Sequence, residues 1–91
     1  MPKVVLTAQV QDGSKWEAAF RTHGDVFRTY TLQAPIHFTV AGNDVALYME
    51  VGDLAAYKRA MDAPATVAAM AVDGVKRETV KMFVLDKELT V

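Results

Sequence analysis

From Lys3 to Val10, Val4, Leu6, Ala8 and Val10 alternate with Val5, Thr7 and Gln9, a period of two that places one row of side chains on each face of a β-strand. Asp12-Gly13 breaks the run. Ser14-Lys15-Trp16-Glu17 then has the form of a capping box, in which the Ser14 hydroxyl and the Glu17 carboxylate satisfy free amides, so a helix is expected from Lys15. Trp16, Ala19, Phe20, His23 and Phe27 recur at three- and four-residue steps and give this helix one apolar stripe, with Gly24 as its end or kink. Residues 29–34 show no period and lead into Pro35, which disfavours helix before it, so they read as a connection.

The second half repeats the pattern. Ile36, Phe38 and Val40 alternate with His37 and Thr39, and Val45, Leu47, Met49 and Val51 alternate again after Gly42-Asn43. That dipeptide tolerates the positive φ angles of a two-residue hairpin turn. The turn pairs Ala41 with Asp44, hence Phe38 with Leu47 and His37 with Tyr48, so each apolar row meets an apolar row. Asp53 is placed to cap a helix over Leu54–Met61, with Leu54, Tyr57 and Met61 on one stripe. A break follows at Asp62-Ala63, Pro64 opens another helix to about Val72, and Asp73-Gly74 closes it. Val80, Met82 and Val84 then alternate with Lys81, Phe83 and Leu85 in a fourth strand.

Two β-α-β units joined by a hairpin specify an α+β, ferredoxin-like β-α-β-β-α-β arrangement: a four-stranded antiparallel sheet in the order 4-1-3-2, with the helices on one face. Val4, Leu6, Val10, Phe38, Val40, Leu47, Met49, Met82 and Val84 fall on the helix side. The other side carries Thr7, Gln9, His37, Thr39 and Glu50 mixed with Val5, Tyr48, Phe83 and Leu85, which is too apolar for a solvent face. A second copy of the sheet is the expected cover, giving a homodimer.

Composition narrows the chemistry. Ninety-one residues suffice for one domain, expected to span 1–91, and the absence of cysteine removes disulfides, thiolate metal sites and a cysteine nucleophile. Ten basic residues balance eleven acidic ones without a block of either sign, so neither nucleic acid nor a membrane is an expected partner. Base stacking on the sheet would need exposed aromatics on strands one and three, where only Tyr48 stands. The opening run is too short for a membrane span and lacks a cleavage site, which points to a cytoplasmic protein. His23 and His37 fall on different elements, so no metal, haem or other cofactor is expected.

VVLTAQVQDGSKWEAAF, a strand followed by an aspartate and a tryptophan-bearing helix, and MDAPATVAAMAVDGV leading into VKMFVL resemble the dimeric α/β-barrel superfamily, which includes the antibiotic-biosynthesis-type monooxygenases. The resemblance covers nearly the whole chain and implies a homodimer whose two open sheets pack face to face. If the chain is an enzyme, it implies a cofactor-free monooxygenase-like or cyclase-like activity. Asn43 in a turn and Trp16 in a helix do not reproduce the asparagine–tryptophan–histidine set of haem-degrading members. The first strand also lacks the histidine used by cyclase members.

His37, Tyr48 and Glu50 are the candidate catalytic residues, since a tyrosine or glutamate beside an imidazole can tune it for acid–base work. The competing reading is a hydrogen-bonded polar cluster inside a dimer interface. Trp16, His37 and Tyr48 are the candidate ligand-binding residues for a small apolar or aromatic molecule. Trp16 can edge a pocket between helix and sheet or simply pack in the core. Met49, Met61, Met70 and Met82 fit either core packing or the wall of a lipophilic cavity. The alternative to a ligand-transforming protein is a non-enzymatic ligand-sensing or association module.

Overall fold

A computed structural model describes residues 2–23 and 35–91. Strand β1 (Lys3–Gln9) leads into helix α1 (Gly13–Phe20) and a 3-10 turn at Arg21–His23. Strands β2 (His37–Ala41) and β3 (Asp44–Glu50) form the hairpin, followed by α2 (Leu54–Asp62), α3 (Pro64–Val72), a second 3-10 turn at Arg77–Thr79 and β4 (Lys81–Val84). The sheet order is β2-β3-β1-β4 with every pair antiparallel, the order expected from the sequence read from its other edge. His37 pairs with Tyr48, Phe38 with Leu47 and Ala41 with Asp44, as the hairpin pattern requires.

Register fixes the two faces. Val4, Leu6, Val45, Leu47, Met49 and Val51 are buried beneath the helices together with Trp16 and Tyr57, and Phe38, Val40 and Met82 pack against them. These alternate positions remove the most apolar surface from water and so anchor the helices to the sheet.

Several local details differ from the sequence reading. The N-cap of α1 is Asp12, not Ser14, and the helix starts at Gly13. The Asp12 carboxylate accepts from the Lys15 amide at 3.1 Å and its carbonyl from Trp16 at 2.9 Å, while Glu17 pairs forward with Arg21 at 3.0 Å instead of reaching back. Asp12 satisfies the free amides two residues, about half a turn, earlier than Ser14 could. Helix α1 also ends sooner than expected, and Gly24, Phe27 and the connection at 29–34 lie outside the described residues. In the hairpin turn only Gly42 takes a positive φ, 64°. Asn43 keeps the ordinary sign and spends its polar groups on neighbours: its side-chain oxygen accepts from the Gly13 amide at 3.3 Å and its carbonyl from Val10 at 2.8 Å.

The hairpin tip is thereby tied to the β1–α1 junction. On the other side, Gln11 donates to the Gly74 carbonyl at 2.9 Å, Lys76 donates to Gln9, and Val10 bridges to Val75. The start of α1 and the end of α3 are therefore pinned at the same end of β1.

Candidate functional site

Between the helices and the sheet lies a cavity of about 290 Å³. Its floor is Leu6 and Ala8 of β1 with Val45 and Leu47 of β3; Trp16 and Phe20 of α1 form one wall. The opposite wall is Tyr57, Ala60 and Met61 of α2, and Ala65, Thr66, Ala69, Met70 and Asp73 close it from α3. Its origin is legible in side-chain size. Ala8, Ala60, Ala65 and Ala69 line it with side chains of one carbon, and α3 presents Thr66, Ala69, Met70 and Asp73 to it at steps of three and four.

The aromatic wall is rigid. Trp16 stacks on Phe20 with centroids 4.7 Å apart, and Phe38 meets both rings edge-on at 6.0 and 5.1 Å. The Arg21 guanidinium, 5.2 Å above the Phe38 ring, covers this cluster from outside. Tyr57 is almost wholly buried, and burial pushes its phenol up to about 12. At neutral pH it is therefore a hydroxyl donor and not a base. The turn between α2 and α3, which shapes one side of the cavity, is held by Arg77, which donates to Asp62 at 3.1 Å and to the Met61 carbonyl at 3.4 Å.

His37, Tyr48 and Glu50 lie on the other face of the sheet. The His37 and Tyr48 rings are neighbours, with centroids 6.3 Å apart and planes tilted by 54°. Register continues their row through Val5 to Phe83, so Phe83, Val5, Tyr48 and His37 cross all four strands in line. Glu50 stands opposite Lys3 on the same face. Trp16 and the His37–Tyr48 pair, grouped by the sequence as ligand-binding candidates, are thus separated by the sheet and do not form one site. Among the described residues no group of three or more histidine, cysteine, aspartate or glutamate side chains is arranged to hold a metal, and no helix is long and apolar enough to cross a membrane.

No family model matches the chain, and no curated protein matches it by sequence. Solved structures do. A protein described as an antibiotic biosynthesis monooxygenase aligns over 98% of this chain and 100% of its own, with a TM-score of 0.67 and 12% identity. SnoaB, a cofactor-independent oxygenase from Streptomyces nogalater, aligns over 99% of this chain and 95% of its own, with a TM-score of 0.66 and 14% identity. A proposed antibiotic biosynthesis monooxygenase from Deinococcus radiodurans aligns over 100% and 96%, with a TM-score of 0.63 and 9% identity. This chain has the antibiotic-biosynthesis-monooxygenase fold. The likeness, at so low an identity, is one of fold, and what the monooxygenase-like fold does in this chain rests on its own side chains.

The sequence singled out Trp16, Met61 and Met70 but not the rest of the cavity. Tyr57 reads as one more core residue on the α2 stripe, and alanines carry no chemical signal. The usable clue was the alanine-rich inner stripe of α3, which is too small to fill the space above a sheet.

Proposed function

We propose that this chain binds a small, flat, apolar molecule of one or two fused rings in the cavity between the sheet and the helices, and that it acts as a homodimer through the opposite face of the sheet. The observation that carries the first part is the cavity itself: about 290 Å³, walled by Trp16, Phe20 and Tyr57 and floored by aliphatic side chains. That volume stands at the lower end of ligand pockets, which limits the guest to roughly a dozen non-hydrogen atoms. Trp16 faces the ligand. His37, Tyr48 and Glu50 belong to the interface, where their polar groups pair with one another or across the twofold axis.

The second part is supported by the outer sheet face, where Phe83 and Leu85 are each 49% exposed in the single chain and Val5 and Tyr48 are only half-buried. A second copy would remove this surface from water. A second reading, supported by the likeness to SnoaB, is that the bound ring is oxidised by dioxygen without a cofactor. Product-linked dioxygen uptake that requires the folded protein would establish it.

Isothermal titration of the purified protein with 2-naphthol tests the binding reading. One site per chain is expected, with a dissociation constant on the order of 100 µM for a ligand of this size. Ala60→Phe, which places a ring in the cavity, should weaken binding about tenfold or more while the thermal melt is retained. Absence of heat with millimolar 2-naphthol, or unchanged affinity in the folded variant, would overturn the reading.

A further inference from the structure

Helix α3, with the sequence PATVAAMAV, carries no charged side chain, and none of its residues is buried. A helix on the surface of a globular protein ordinarily turns charged residues outward, so one built of apolar residues and a single threonine leaves apolar surface in water. That surface is continuous with the cavity. Among the described residues that line the cavity, all are buried or half-buried except Ala65 and Ala69, which are exposed. The mouth therefore lies along the edge of α3 on which these two alanines stand. Val72 follows at the next helical step of that edge and is 87% exposed. Ala65, Ala69 and Val72 thus form an apolar track that begins in the cavity wall and ends on the surface, whereas Thr66, Met70 and Asp73 make up the inward stripe and Val67 stands on the other flank of the helix.

We propose that the ligand is an alkyl-substituted ring, held with its ring in the cavity while an unbranched aliphatic chain leaves through the mouth and lies along Ala65, Ala69 and Val72. This rests on the binding reading and deepens it by naming the class of ligand. The length of the track suits such a chain: the rise from Ala69 to Val72 is about 4.5 Å, the span of roughly four methylenes. Alanine side chains let the chain approach the helix closely, and without charge on α3 no ion is desolvated when the chain covers it. Hydrocarbon is the chemistry this surface favours, because contact removes apolar area from water on both partners.

A series of 4-alkylphenols titrated into the purified protein, followed by the emission of Trp16, the chain's one tryptophan, tests this. The ring and chain of 4-butylphenol already come to about a dozen non-hydrogen atoms, the capacity of the cavity, so longer chains must leave it. A methylene fully removed from water strengthens binding about fourfold, and one covered on a single side about twofold. From 4-butylphenol to 4-octylphenol the dissociation constant should therefore fall about tenfold or more. Val72→Asp, at an exposed position, should remove this gain so that the butyl and octyl compounds bind alike, whereas Val67→Asp on the other flank should retain it. An affinity that levels off or falls beyond the butyl compound would overturn the track while leaving the cavity as the binding site. So would a gain that survives Val72→Asp, or one lost equally in folded Val67→Asp. Failure of every member of the series to bind would overturn the cavity reading and the track with it.

Discussion

Gly13 occupies the first turn of α1 directly under the hairpin tip, where a Cβ would overlap the Gly42 carbonyl oxygen and come within 2.7 Å of Val40 Cγ1. Alanine ordinarily gains about 0.5–1 kcal/mol over glycine in a helix, but neither the backbone carbonyl nor the packed valine can retreat cheaply, so overpacking wins. Gly13→Ala should lower the stability of the fold by about 1–3 kcal/mol in urea unfolding with an unchanged slope; a stabilised variant would contradict this. Tyr57 gives a second test at this scale. Its folded-state value, raised by burial to about 12 from 10.0, means that the unfolded chain loses the proton first as pH rises. The contribution is therefore fully present below about pH 10 and is lost between about pH 10 and 12, at up to about 1.4 kcal/mol per pH unit. Unfolding midpoints measured from pH 9 to 11.5 should fall less steeply in Tyr57→Phe than in the parent protein, whereas parallel curves would show that burial does not shift this phenol.

Elements were legible where two local signals agreed. The hairpin was marked by alternation on both sides and by a glycine at the one turn position that needs it, and helix α3 by proline at its start and Asp73-Gly74 at its end, where Gly74 takes φ 78°. At α1 two capping residues competed, Asp12 and Ser14, and pattern alone does not reveal that the chain enters the helix at the earlier of the two. Asp53 met no such competitor and caps α2 through the Ala56 amide at 3.0 Å. Asp53→Ala should cost about 1 kcal/mol, with loss of helical circular dichroism appearing first in the α2 region by hydrogen exchange. A variant as stable as the parent would mean that water replaces the cap. The cavity was less legible than the elements around it, because an alanine stripe records the absence of side-chain volume, and only the placement of α2 and α3 over β1 and β3 turns that absence into a space.

For the whole molecule the sheet separates the two parts of the proposed function: ring binding in the helix-side cavity and self-association through the outer face. Phe83→Asp should shift the protein strongly to monomer in sedimentation without emptying the cavity, because the residue stands on the side of β4 opposite the helix layer. Unaltered dimer formation would place the interface elsewhere. Ligand binding on the helix side is the central claim, and it is tested most directly by ¹H–¹⁵N resonance mapping during a titration with 2-naphthol. The expected result is saturable shifts confined to the Trp16 indole and to the amides of Tyr57, Ala60, Ala69 and Met70, with Thr39 and Glu50 on the far face unmoved. Shifts centred on His37, Tyr48 and Glu50 with the Trp16 indole unmoved would contradict it.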